Sequence, residues 1–172
     1  MIEITSIHKH FEKHTVLDNI NAVFRNRETT LIIGQSGAGK TVLLNCIVGL
    51  LTPDKGEILY DGRKFSGMNK KEKLMLRREI GMLFQGSALF DSMSVLENVM
   101  FPLDMFSDLT YKERLKRARM CLERVNLVDA QEKMPEELSG GMQKRAAIAR
   151  AIALGPKYLL CDEPNSGLDP QT

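Results

Sequence analysis

Residues 34–41 read Gly-Gln-Ser-Gly-Ala-Gly-Lys-Thr, and no other stretch restricts the fold as strongly. Glycine loses more backbone freedom on ordering than any other residue, so the triplet Gly34, Gly37 and Gly39 belongs in a loop rather than inside a helix or strand. Ahead of it, Thr29 to Ile33 is apolar and strand-sized. Behind it, Thr-Val-Leu-Leu-Asn-Cys-Ile-Val-Gly-Leu suits a buried helix that ends near Gly49 and Pro53. A strand feeding a glycine loop and then a helix is the phosphate-loop arrangement. In it, the backbone of Gly34, Gln35, Ser36, Gly37, Ala38 and Gly39 turns amides toward phosphate oxygens at the positive end of a helix. Lys40 would place a point charge on the β and γ phosphates, and Thr41 would offer a hydroxyl to Mg²⁺. The competing reading is a glycine-rich turn with an incidental lysine, and the flanking elements argue against it.

A phosphate loop needs a second ligand set for the metal and, for hydrolysis, a base for water. Tyr158-Leu159-Leu160-Cys161-Asp162-Glu163 supplies two acids at the end of an apolar strand. Asp162 would hold Mg²⁺ through its water shell, and Glu163 would take a proton from the attacking water. Two acids after a strand are otherwise an ordinary polar strand end, and the upstream loop is what gives them meaning.

Between these motifs the patterns are local. Ile2 to Ile7, Val16 to Phe24 and Thr29 to Ile33 read as strands, as do GEILYDG and IGMLF, with a charged helix near Asn69 to Glu79. Ser94 with Glu97, and Thr110 with Glu113, have capping-box spacing. From Tyr111, the residues Leu115, Ala118, Leu122 and Val125 share one helical face. A last helix, about Ser139 to Leu154, precedes the acidic strand end.

Composition narrows the partners. Net charge is +2 from 24 basic and 22 acidic residues, so no general field favours nucleic acid or an anionic membrane. The basic run Lys70, Lys71, Lys73, Arg77 and Arg78 reads as a solvated helix face. No signal peptide is evident in MIEITSIHKHF, and no stretch approaches the roughly 20 apolar residues that span a bilayer; the chain is expected in the cytoplasm. Cys46, Cys121 and Cys161 form no CxxC pair and read as buried, reduced thiols. His8, His10 and His14 read as exposed polar residues. The segment from Ser87 to Phe106 is more apolar than a solvated insert needs, and is either core or a docking groove for a membrane subunit's helix.

Leu138-Ser139-Gly140-Gly141-Met142, just before a helix, resembles the signature motif of the ATP-binding cassette (ABC) family, and Asn165-Ser166-Gly167-Leu168-Asp169 resembles its D-loop. The resemblance covers essentially the whole chain. It implies that Ser139, Gly140 and Gly141 meet the γ-phosphate held by a second copy, and that Asp169 lies at the nucleotide. It also implies that Gln85, after IGMLF, contacts Mg²⁺ or the attacking water, and that Phe11 stacks on adenine. For Phe11 a core position is the alternative reading. The phrases GMLFQGSALFDSMSVLENVMFPL and LSGGMQKRAAIARAIALGPKYLLCDEPNSGLDP resemble the nucleotide-binding subunits of bacterial Mla-type lipid transporters, which work with MCE-domain proteins.

The implied fold is α/β: a P-loop NTPase three-layer core with a mainly parallel sheet, an N-terminal antiparallel β region and a helical insert. A single domain of residues 1–172 is expected, its core 1–85 and about 138–172, its insert about 86–137. The implied activity is ATP hydrolysis with ATP and Mg²⁺, in a head-to-tail pair of cassettes attached peripherally to the inner membrane face through permease subunits, without direct nucleic-acid binding. Two alternatives remain: a soluble ABC ATPase acting on nucleic acid, for which the 52 residues between Gln85 and Leu138 leave no room for a long coiled coil, and a nucleotide-binding module without turnover. In the family a further strand and a histidine follow the D-loop. The sequence therefore reads as a cassette cut short at Thr172, with poor solubility and weak turnover expected.

Overall fold

Alternating apolar residues make Ile2–Phe11 (β1) and His14–Phe24 (β2) an antiparallel hairpin. The alternation breaks once: Ile2, Ile4 and Ile7 are all buried although the last two are three apart. Ser6 resolves this by adopting φ 49° at a register shift between Ile4 and Ile7. An extra residue at such a bulge returns the next side chain to the core face. Lys55–Tyr60 (β3) pairs with the other edge of β1, and Arg63–Lys64 (β4) with β3, giving the order β2-β1-β3-β4. Opposite the bulge, Gly56 takes φ 92°, and a Cβ there would overlap the Ser6 carbonyl oxygen.

The computed structural model describes residues 1–12 and 14–163, which divide into two compact units with the boundary between Arg77 and Arg78. In the first, Lys40–Ile47 (α1) buries Leu43, Leu44, Cys46 and Ile47, and the Tyr60 hydroxyl donates to the Ile47 carbonyl. Each such aliphatic side chain contributes roughly 1.5–3 kcal/mol on burial. Lys70–Arg78 (α2) buries only Leu76, as a solvated helix should.

In the second unit, Ile80–Leu83 (β5) and Tyr158–Cys161 (β6) form a parallel ladder, Ile80 opposite Tyr158 and Leu83 opposite Cys161. Three helices pack together: Val95–Phe106 (α3), Tyr111–Arg124 (α4) and Gly140–Ile152 (α5). Their shared core holds Val95, Val99, Leu103, Ala118, Cys121, Leu122, Ala146 and Ala149. Both expected capping boxes are present, at Ser94 with Glu97 and at Thr110 with Glu113.

Two expectations fail. Residues 29–33 form no ladder among the described residues, and Leu31 and Ile33 are 79% and 85% exposed. An apolar run supplies strand propensity, but a strand exists only where a neighbour accepts its hydrogen bonds. Cys161 is exposed rather than buried; it ends a strand that, among the described residues, pairs with β5 alone. Its immediate surroundings still desolvate the thiol and push its pKa up.

Candidate functional site

The glycine loop ends at Gly39, the N-cap of α1, with φ 87°. Its backbone abuts β2: a Cβ on Gly39 would sit 3.0 Å from the Val16 carbonyl oxygen, so glycine is required by both conformation and space. Gly37, φ 80°, faces open space. Lys40 folds back over the loop, its Nζ donating to the carbonyls of Gly34 (2.8 Å) and Gln35 (2.9 Å). The Ala38 amide donates to the Gln35 carbonyl at 3.2 Å, closing the turn beneath that ammonium group. Thr41 is exposed on the first turn. No acidic residue occupies that turn, so the positive helix end is left uncompensated, as an anion site requires. The loop, ammonium group and hydroxyl fit a polyphosphate with its divalent cation.

Phe11 belongs to the same unit. It pairs with His14 at the end of the β1–β2 hairpin, two residues from the Val16 that abuts Gly39. Its ring is 44% exposed, with Lys9 Nζ 5.6 Å from the ring centroid. Asp54 ties this strand end down, accepting from the His10 amide (2.7 Å) and Lys9 Nζ (2.9 Å).

In the second unit the acids and Gln85 meet. The ladder continues one step past β6, the Asp162 amide donating to the Leu83 carbonyl at 2.9 Å; Asp162 is 5% exposed. Glu163 turns out of the strand at φ 47°, a left-handed conformation that costs of order 1 kcal/mol or more. Gln85 Nε2 then donates to Glu163 Oε2 at 2.8 Å. Ser139 is the N-cap of α5, its Oγ accepting from the Met142 amide at 3.3 Å. Gly140 beside it is exposed, with no atom near where a Cβ would stand. Asp169 lies outside the described residues.

Of the apolar segment from Ser87 to Phe106, Val95, Leu96, Val99, Met100 and Leu103 are core, while Phe90 (41%) and Met105 (59%) are exposed. The Phe90 ring lies 4.7 Å from that of Phe101. Sequence reasoning did not single out Asn98 and Arg150, which hold the loop between Gln85 and α3. The signal for Asn98 was an amide inside the apolar stripe Val95, Val99 and Leu103.

The sequence profile of the ABC transporter family matches residues 17–166, which takes in the glycine loop, Gln85, the Ser139 motif and the acids Asp162 and Glu163, and leaves out β1 with Phe11, the first residues of β2, and Asp169. The chain belongs to the ABC transporter family, as its ATP-binding domain. This ABC domain is 48% identical over 160 residues to a methionine import ATP-binding protein MetN of Carboxydothermus hydrogenoformans, covering 93% of the chain and 47% of that protein. It is 42% identical over 170 residues to the intermembrane phospholipid transport system ATP-binding protein MlaF of Haemophilus influenzae, covering 99% and 64%. The chain thus spans about half the length of the curated relatives it matches. Among solved structures, the dimeric post-hydrolysis state of the ATP-binding cassette MJ0796 bound to ADP and Pi superposes with a TM-score of 0.91 at 35% identity, over 99% of this chain and 77% of that one. CbiO1 from Clostridium perfringens gives 0.86 at 32% identity, over 99% and 68%. The ABC domain accordingly has the P-loop NTPase fold, mixed α/β with an antiparallel N-terminal sheet.

Proposed function

We propose that this ABC domain binds Mg²⁺-ATP and hydrolyses it as the ATP-driven subunit of a transporter. The observation that carries the reading is the Lys40 ammonium group folded across the Gly34 and Gln35 carbonyls at the uncompensated N-terminus of α1. Loop amides and Lys40 bind the phosphates. Thr41, Gln85 and Asp162 are the residues to hold Mg²⁺, which when bound neutralises phosphate charge. Phe11, on an exposed strand end rather than in the core, stacks on adenine.

Glu163 accepts a proton from water as the water oxygen bonds to the γ-phosphorus. The bridging bond between the β and γ phosphates breaks, and its electron pair leaves on the ADP oxygen. Gln85 holds Glu163 from one side and so fixes the base.

Ser139, Gly140 and Gly141 serve a nucleotide on a second, head-to-tail copy, a reading supported by the dimeric cassettes it resembles. The nucleotide-binding pair sits on permease subunits, with Phe90, Phe101 and Met105 on the surface a permease helix would meet. No helix among the described residues is long and apolar enough to cross a membrane; permease subunits are the proposed membrane attachment.

Lipid is the proposed cargo, with an MCE-domain protein as a further partner. The MlaF relatives, such as that of Haemophilus influenzae at 42% identity over 99% of this chain, support it. Methionine import is the second reading, favoured by the 48% identity to MetN. Lys40→Ala tests the core claim: binding of a fluorescent ATP analogue should be lost, and unchanged affinity would sink the phosphate-loop assignment. Affinity purification from the native membrane separates the cargoes: an MCE-domain partner supports lipid, and a methionine-dependent permease overturns it.

A further inference from the structure

The loop between Gln85 and α3 is held in a conformation it would not adopt alone. Ser87 and Ala88 both lie in the left-handed region, φ 58° and 49°, and each L-residue there costs of order 1–2 kcal/mol. Two side chains hold the loop, Arg150 at Ser87 and Ala88 and Asn98 just after them. Arg150, near the end of α5, donates through Nη2 to the Ser87 carbonyl (2.9 Å) and through Nη1 to the Ala88 carbonyl (2.7 Å). Asn98, fully buried on α3, accepts the Phe90 amide (2.8 Å) and donates to the carbonyls of Phe90, Met93 and Ser94. The two meet, Arg150 Nη1 lying 3.4 Å from Asn98 Oδ1. The guanidinium is partly desolvated, and its Cζ lies 5.8 Å from the centroid of the exposed Phe90 ring.

We propose that Arg150, completed by Asn98, is a positioning residue that sets the reach of Gln85 to Glu163. The proposal rests on Glu163 as the base and Gln85 as its holder. A rigid fork of two donors on adjacent carbonyls fixes two successive peptide planes relative to each other, which a single ammonium group does not. Gln85 stands two residues from the clamped Ser87, so the clamp decides where its amide points. The clamp is carried by the helix that begins at Ser139, about 16 Å away along α5 at 1.5 Å per residue. A tilt of α5 at its signature end is therefore delivered to the Gln85 loop and to Phe90 together.

The test is Arg150→Lys, which keeps charge and stem while losing the fork, alone and combined with Gln85→Ala. Three readouts are taken: backbone amide exchange over residues 84–90, the Gln85 side-chain amide NMR signal, and steady-state ATPase kinetics. Amide exchange should quicken about tenfold in that loop and nowhere else, the Gln85 signal should move toward that of a solvated glutamine, and kcat should fall about tenfold with KM within about twofold. In the Gln85→Ala background Arg150→Lys should cost nothing further. Unchanged exchange with an unmoved Gln85 signal, or an undiminished loss of kcat in the double variant, overturns the proposal. If the parent chain shows no turnover, the proposed hydrolysis fails for this chain by itself, and the exchange and Gln85 signals still decide the clamp.

Discussion

Replacing Asn98 by leucine tests the packing of the second unit, because leucine keeps the branching of asparagine with two somewhat larger methyl groups in place of the amide oxygen and nitrogen, and so removes hydrogen bonds without opening a cavity. Asn98 is fully buried and its side-chain amide bridges four backbone groups. Not all are orphaned by the change. The Phe90 carbonyl still accepts the Met93 amide (3.1 Å), and the Ser94 carbonyl still accepts the Asn98 amide (2.9 Å). That leaves the Phe90 amide and the Met93 carbonyl without these partners, at about 1–1.5 kcal/mol each for partly buried groups. The added apolar burial offsets a fraction of a kcal/mol, so the expected loss is about 2 kcal/mol. With a urea m value of about 2 kcal/mol/M the midpoint should fall by about 1 M, and the melting temperature by about 4–8 °C. The chain has no tryptophan, so far-ultraviolet circular dichroism is the measurement. A midpoint within about 0.2 M of the parent at unchanged slope would show that water replaces the amide at no cost, and the reasoning would fail.

Phe11→Ala should weaken ATP binding by about 1–3 kcal/mol, the range for stacking on an aromatic ring, and leave inorganic triphosphate binding unchanged; equal losses for both ligands in a competition assay would place Phe11 in the fold rather than at adenine. Gly81→Ala should destabilise by about 1–3 kcal/mol in urea, because its Cβ would stand 2.5 Å from the Ala151 carbonyl oxygen and 2.9 Å from Pro156 Cγ, where helix backbone cannot yield. Ser94→Ala removes the α3 cap and should cost about 1 kcal/mol, a loss that serine-to-threonine replacement should largely avoid. Asp54 has its pKa lowered from 3.8 to about 2, first by the His10 amide and then by Lys9. A carboxylate whose folded pKa is depressed contributes fully above its unfolded value and loses that contribution as pH falls from about 4 to about 2. Carboxyl ¹³C titration should find the low midpoint, and Asp54→Asn should flatten the stability profile in that window.

Sequence separation decides what was legible. The capping boxes at Ser94 and Thr110 join residues three apart, and local spacing sufficed to find them. The glycine loop and α1 were legible for the same reason, since loop conformation and helix start are set within eight residues. Residues 29–33 carried strand propensity but not the identity of a ladder partner, so their state could not be read from alternation. The bulge at Ser6 was hidden because it is fixed by pairing with β2 and β3, though the three-residue step from Ile4 to Ile7 marks it in retrospect. The site divides in the same way. Lys40 reaches carbonyls five and six residues back, whereas Gln85 meets Glu163 across 78 residues and Arg150 reaches Ser87 across 63. Helix α5 holds both cases. Its N-cap is Ser139, recognisable because a serine followed by two glycines ahead of a helix is a short-range pattern. Near its last turn lies Arg150, which in sequence is one basic residue among several and acquires its function only when folding brings two left-handed residues beneath its guanidinium group. The motif residues specify which groups are available for chemistry, and the long-range hydrogen bonds specify where those groups point.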